Sequence, residues 1–147
     1  MMDHYPFFTF LIRFYKLLII GNILKKLEEL TQYYKNAGYF DNKKQIPYNI
    51  NSIGIVTAVN GAVINDMLSI FNENKFDKKI YVKNSVVQGS DCPRSIKEGI
   101  EFFNNYKDCD NNKVDIIVIA RGGGSMDDLI GFSDPLVIEA IYKSKIF

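Results

Sequence analysis

Three short runs with strand character, each followed by a stretch with helical spacing, constrain this chain more than any other feature. The first run is SIGIVTA (52–58). It leads into NGAVINDMLSIF (60–71), where Val63, Ile64, Met67, Leu68 and Phe71 share one helical face. The second is KKIYVKN (78–84). After the loop VVQGSDCP comes RSIKEGIEFFNNY (94–106), with Ile96, Ile100 and Phe103 inward and Pro93 suited to its first turn. The third is KVDIIVIA (113–120), apolar in the manner of a parallel strand covered on both faces. It is followed by DPLVIEAIYKS (134–144), a helix capped by Ser133 or Asp134. Strand-then-helix order, three times over, predicts a three-layer α/β fold: a small parallel sheet of at least three strands with flanking helices.

The residues ahead of this body differ in character. FFTFLIRFYKLLIIGNIL (7–24) is strongly apolar, but Arg13 and Lys16 interrupt it. Each would cost about 3 kcal/mol at a bilayer centre, and the uncharged runs fall short of the roughly 20 residues a span needs. A secretory leader would carry its charges ahead of the apolar region rather than within it. No membrane anchor is expected, and the segment reads as a strand or helix that packs on something. Residues 22–38 show helical spacing through Ile23, Leu24, Leu27, Leu30, Tyr33 and Tyr34, and Gly38 is placed to end the helix. The polar stretch FDNKKQIPYNINS (40–52) reads as a linker. The expected division is therefore 1–39 as an apolar segment with an N-terminal helix, 40–52 as linker, and 53–147 as the α/β body.

Charge decides little. Eighteen Lys and Arg against seventeen Asp and Glu leave a net charge of +1, so any basic site must be local. Cys92 and Cys109 form no CxxC or Cys/His cluster, which predicts reduced thiols, no structural metal and a cytoplasmic location. His4 is the sole histidine and lies far from the body in sequence, so no Ser-His-Asp or Cys-His arrangement can form around the sheet.

Ligands of open parallel sheets bind beyond the carboxyl ends of the strands. The first such end is TAVNGAVIND (57–66). Thr57 closes the strand, Gly61 permits a tight turn, and the next helix aims its N-terminal N–H groups at the same space; Asp66 lies about a turn and a half inside it. The third end is ARGGGSMDDL (120–129). Gly122, Gly123 and Gly124 invite a nest of backbone N–H groups around a phosphate, and Arg121 adds a planar fork of donors. Ser125 and Asp128 have the spacing of a capping box, so a short helix is expected to start there, with Asp127 and Asp128 pointing outward or orienting Arg121. The alternatives are a plain turn with a surface arginine, and a solvated Asp66. In the loop after the second strand, Gln88, Gly89 and Arg94 are either substrate contacts or simply a helix entry. Walker and dinucleotide fingerprints are absent.

The segments IGIVTAVNGAVINDML, VVQG and VIARGGGSMDDLIGFSDPLVIEAIYKSKI resemble the catalytic middle domain of the exonuclease VII large subunit. The resemblance covers about residues 22–147. It implies a metal-independent exodeoxyribonuclease that degrades single-stranded DNA from its ends to short oligonucleotides, without a cofactor and with a small subunit as partner. By the same resemblance the family's catalytic acid maps onto Asp66 and its catalytic arginine onto Arg121. Thr57, Gly61, Gln88, Gly122, Gly123, Gly124 and Ser125 are the expected phosphate and DNA contacts. Thr57-Ala58-Val59 departs from the family's Thr-Ser-Pro, and Ile130 stands where the family has Trp. The family continues into a strand and a histidine-containing segment, so the body is expected to be C-terminally incomplete and inactive alone. RFYKLLIIGNI could be the last strand of an N-terminal OB-fold. Two other readings remain: a non-catalytic phosphate- or nucleic-acid-binding module, and a structural remnant.

Overall fold

The computed structural model describes residues 6–41, 43–124 and 129–147, with side chains described from residue 19 onward. The chain divides into two compact units, Met1–Asn42 and Lys43–Phe147.

The first unit is a single long helix, α1 (Pro6–Asn36). The segment that suggested an OB-fold strand, RFYKLLIIGNI, lies inside this helix and is not a strand. The helix ends as Gly38 predicts. Gly38 takes φ +79, its N–H reaches Lys35 O at 3.1 Å, and Tyr39 N–H reaches Tyr34 O at 3.0 Å. These are the two bonds of a Schellman motif. The Tyr34 and Tyr39 rings close it, their centroids 4.8 Å apart. Among the described residues, no helix is long and apolar enough to cross a membrane.

The second unit contains strands β1 (Ser52–Thr57), β2 (Lys79–Asn84) and β3 (Ile116–Ile119), with helices α2 (Ala62–Glu73), α3 (Cys92–Asn105) and α4 (Pro135–Lys143) and a 3₁₀ turn at Ile130–Ser133. The sheet is parallel, with order β2-β1-β3, so β1 is central and every one of its residues is buried. Ile55 pairs with Val82 on one side and Val118 on the other. The chain moves one way from β1 to β2 and the other way from β2 to β3. Right-handed crossovers therefore put α2 and α3 on opposite faces. Two core clusters confirm the three layers. Ile53, Ile55 and Ile64 pack between the sheet and α2 with Met67 and Phe71 around them. Val56, Ile96, Ile100, Phe103, Val137 and Ala140 pack between the sheet, α3 and α4.

Two glycines set how closely α3 approaches the sheet. A β-carbon at Gly54 would stand 2.9 Å from the Phe103 ring, and one at Gly99 would stand 2.5 Å from Val56 Cγ1. The observed core cannot accommodate either. At the C-terminus of α3 the Asn104 side chain binds Ser144 Oγ at 3.0 Å and accepts the Lys145 N–H at 2.7 Å, which fixes α4 beside α3. Asp134 caps α4 by accepting the Leu136 N–H at 2.9 Å.

β3 is shorter than the apolar run suggested. Asp115 Oδ2 accepts the N–H groups of Asn51 and Ser52 at 2.8 and 3.0 Å, so a side chain makes the entry contacts that a longer ladder would have made. The same amino end of the sheet holds an ion cluster. Lys79 Nζ lies 2.9 Å from Asp108 and 3.4 Å from Asp110. Asp108 also accepts the Asp110 and Asn112 N–H groups. Its carboxyl is pulled down to about 2, first by the Lys79 hydrogen bond and then by that from the Asn112 backbone. The same carboxylates raise Lys79 above its usual value.

Candidate phosphate-binding edge

With the order β2-β1-β3, the connections leaving β1 and β3 diverge to opposite faces: β1 leads to α2, β3 toward α4. Such a switch point opens a crevice at the carboxyl edge of the sheet. The residues that border it are those following Thr57 and Ile119. Ala120 N–H binds Val56 O at 3.0 Å, which brings the segment beginning at Arg121 beside the turn Ala58–Gly61.

That turn is tight. Gly61 N–H binds Ala58 O at 3.0 Å, and a β-carbon at Gly61 would stand 3.1 Å from the same oxygen. Gly61 is the N-cap of α2, and no side chain caps the helix there. Its first-turn N–H groups are the orphan donors present at any helix start. The turn is held from the side by Asn84, whose Oδ1 accepts the Val59 N–H at 3.1 Å. Sequence reading missed Asn84. The available signal was an asparagine, a residue depleted in strands, closing the run KIYVKN. Ser95 has a similar role, its hydroxyl accepting the Val86 N–H at 2.8 Å and fixing the loop after β2.

Across the crevice, a β-carbon at Gly122 would meet Val63 Cγ2 at 3.4 Å, so this loop touches the first turn of α2. Asp66 follows Val63 by three residues and occupies the same flank one turn on. It is exposed and forms no hydrogen bond or ion pair with the described residues. Arg121 behaves differently from the outward fork its position suggested. Its Nε donates to Gly122 O at 2.9 Å, and both terminal nitrogens are buried.

The expected contacts separate into groups. Gly61 and Gly122 both lie at the start of α2, one as its N-cap and the other against Val63, and Gly123 and Gly124 follow Gly122 as exposed residues. Gln88 is exposed on the loop after β2, and Gly89 there takes φ +77. Thr57 is 1% exposed, so it closes the strand inside the core rather than lining the surface. Gly122 and Gly123 do not take positive φ, so a left-handed turn is not why they are glycines. A β-carbon at Gly123 would meet nothing within 4 Å, so the fold does not demand a glycine there. Ser125, with Asp127, Asp128 and the capping box, lies outside the described residues. Among the described residues, no group of three His, Cys, Asp or Glu side chains is placed to hold a metal ion.

Comparison with known proteins gives a consistent picture. The family described as "Exonuclease VII, large subunit" matches residues 39–147. The chain is 38% identical over 129 residues to the exodeoxyribonuclease 7 large subunit of Syntrophomonas wolfei, covering 86% of this chain and 31% of that protein. It is 37% identical over 128 residues to the protein of the same name from Halothermothrix orenii, covering 86% and 30%. For that of Vesicomyosocius okutanii the identity is 35% over 128 residues, covering 86% and 26%. The chain thus spans less than a third of the length of these curated relatives.

Proposed function

Because this chain belongs to the exonuclease VII large-subunit family, we propose that its carboxyl sheet edge binds the scissile phosphate of single-stranded DNA in a metal-independent exonuclease. One observation carries this reading. The β2-β1-β3 order brings the glycine loop after β3 against the first turn of α2, on the flank that also carries Asp66.

In this reading the backbone N–H groups of the glycine loop and of the α2 start face the phosphate oxygens. Arg121 swings from Gly122 O to the phosphate as the substrate arrives. Positive charge and N–H donors then neutralise the charge that builds on the phosphorus as water attacks and the P–O bond to the leaving strand breaks. Each well-placed donor is worth about 3–4 kcal/mol of barrier. Asp66 takes the proton from the attacking water, or orients a histidine supplied by sequence outside this chain. The partners in this reading are single-stranded DNA and the family's small subunit.

The test has two parts. The chain is titrated with labelled single-stranded DNA, and it is incubated with end-labelled strand in EDTA. Affinity that rises with strand length, falls with salt, and drops on Arg121→Ala is expected, together with little or no shortening of the label. Equal affinity for mononucleotide and long strand would sink the DNA reading. Robust shortening would refute the claim that this chain is inactive alone.

One observation favours a second reading, a phosphate-binding module without turnover: nothing among the described residues holds the Asp66 carboxylate in place for proton transfer. In a protein joined to the family's histidine-containing segment, Asp66→Asn separates the two, since it removes catalysis in the first reading and leaves binding intact in both.

A further inference from the structure

The open edge of the sheet at β2 carries an aromatic and basic strip that the phosphate site does not use. Among the described residues β2 pairs only with β1, and side chains alternate along it. Tyr81 faces the α3 layer, where it packs against the core, and Lys83, two residues on, shares that face. Phe102 on α3 and Tyr106, the residue that caps the helix, are four residues apart and stack, with centroids 5.4 Å apart and planes at 26°. Tyr81 extends the row, its ring 5.2 Å from that of Tyr106. Lys83 Nζ sits 5.0 Å from the Phe102 centroid.

Two features separate this strip from ordinary core packing. Phe102 keeps 41% of its surface exposed, whereas its neighbour Phe103 is fully buried. Lys83 also differs from three lysines of the same unit. Lys79, Lys97 and Lys143 each lie within 4.0 Å of a carboxylate. Lys83 has an aromatic ring as its neighbour and forms no ion pair with the described residues. An ammonium held over a ring keeps its whole charge for an incoming anion. The nearby acids are compensated: Glu98 pairs with Arg94 at 3.4 Å, and Asp108 with Lys79.

We propose that Lys83, Phe102 and Tyr106 form a second contact for single-stranded DNA: the Lys83 ammonium leaves the face of the Phe102 ring for a phosphate, and the adjacent base takes its place on that ring beside Tyr106. This rests on the single-stranded substrate proposed above. An exposed ring beside an unpaired-acid-free ammonium matches a base joined to a phosphate; a duplex keeps its base faces stacked inside and cannot use the ring. The strip also has a direction. β2 runs from Tyr81 through Lys83 to Asn84 and on to the Gln88 loop at the carboxyl edge. A strand lying on it leads toward the crevice between β1 and β3.

The experiment uses the intact chain and fluorescence anisotropy with two oligothymidylates, about 20 and about 4 nucleotides long. Phe102→Ala and Lys83→Ala are each expected to weaken binding of the long strand about tenfold and to leave the short one unchanged. Phe102→Trp retains affinity, and Lys83→Ala lowers the slope of log affinity against log salt by about 0.7. Thermal melts check that the variants fold. If both variants bind the long strand like the parent while Arg121→Ala does not, the strip is refuted and the edge site stands. If Phe102→Ala weakens the long strand and Arg121→Ala changes nothing, the strip stands and the edge site falls. Failure of the parent to bind the long strand overturns both. Equal weakening of both lengths by Phe102→Ala overturns the strip as a separate contact. So does loss of binding to a protein partner but not to DNA.

Discussion

Asn84 Oδ1 accepts the Val59 N–H at 3.1 Å, tying the end of an edge strand to the turn that starts α2. Through this bond β2, which contributes no expected catalytic residue, fixes one wall of the crevice between β1 and β3.

Replacing Asn84 with Ala is expected to cost about 1 kcal/mol and to speed hydrogen exchange at the Val59 amide. Asn84→Asp keeps the acceptor and should retain most of the protection. Urea unfolding and amide exchange check both. Unchanged exchange at Val59 in the Ala variant would show that the turn holds without the bond.

The contact between Gly99 and Val56 makes a second prediction. A β-carbon at position 99 would stand 2.5 Å from Val56 Cγ1 and 3.2 Å from Ser85 Oγ, both in the core layer. Gly99→Ala should destabilise by about 1–3 kcal/mol, although Ala is the better helix former. Adding Val56→Ala should recover part of the overpacking loss in a double-mutant cycle, measured by denaturant unfolding.

Gly123 makes the opposite prediction. Nothing lies within 4 Å of a β-carbon there, and the backbone is not in the positive-φ region. Gly123→Ala should therefore change stability by less than about 0.5 kcal/mol. If the loop wraps a phosphate, the same variant should weaken binding of single-stranded DNA, because the methyl group stands where the anion approaches. Normal DNA affinity in a normally stable Gly123→Val would argue against a phosphate contact at this position.

Asp108 sets the expected acid behaviour. Its carboxyl titrates near 2 in the fold instead of 3.8, held down first by the hydrogen bond from Lys79. A depressed carboxyl contributes stability that is present above the unfolded value and lost as pH falls through the folded one. The loss belongs to the window from 3.8 down to about 2. Lys79 is raised above 10.5, so its contribution is complete below that pH and is lost only as pH climbs past its folded value. Asp108→Asn should flatten the acid limb of the stability curve and leave its slope at neutral pH unchanged. Thermal melts across the acid range measure this.

Much of the α/β body was legible because its signals are local. The run at 52–58 is β-branched and apolar with no polar alternation, which is how a central parallel strand reads, and β1 is fully buried. Pro93 and Asp134 marked helix starts that the structure has at Cys92 and Pro135. The head was less legible. Apolar residues at 7–24 fit a strand or a helix, and only the continuous backbone of α1 resolves the two. The start of β3 was overextended because Asp115, which reads as part of a strand, spends its carboxylate on Asn51 and Ser52. The departure at Arg121 has the same kind of origin. Its guanidinium turns to Gly122 O, and a carbonyl orientation has no signature in residue type.

By itself the sequence determined the alternation of strands and helices, the helix ends at Gly38, Pro93 and Asp134, and the chemistry available beyond the strand ends. Each of these follows from side-chain size, branching and hydrogen-bonding capacity over a few neighbouring residues. Tertiary structure alone decided the order β2-β1-β3, and with it the meeting of the glycine loop with α2. It also decided that Thr57 is sealed, that Asn84 braces the turn, and that Lys83 lies over Phe102. Strand order depends on which apolar faces find each other across long sequence separations. No local pattern encodes that choice, because each strand would hydrogen-bond equally well to either neighbour.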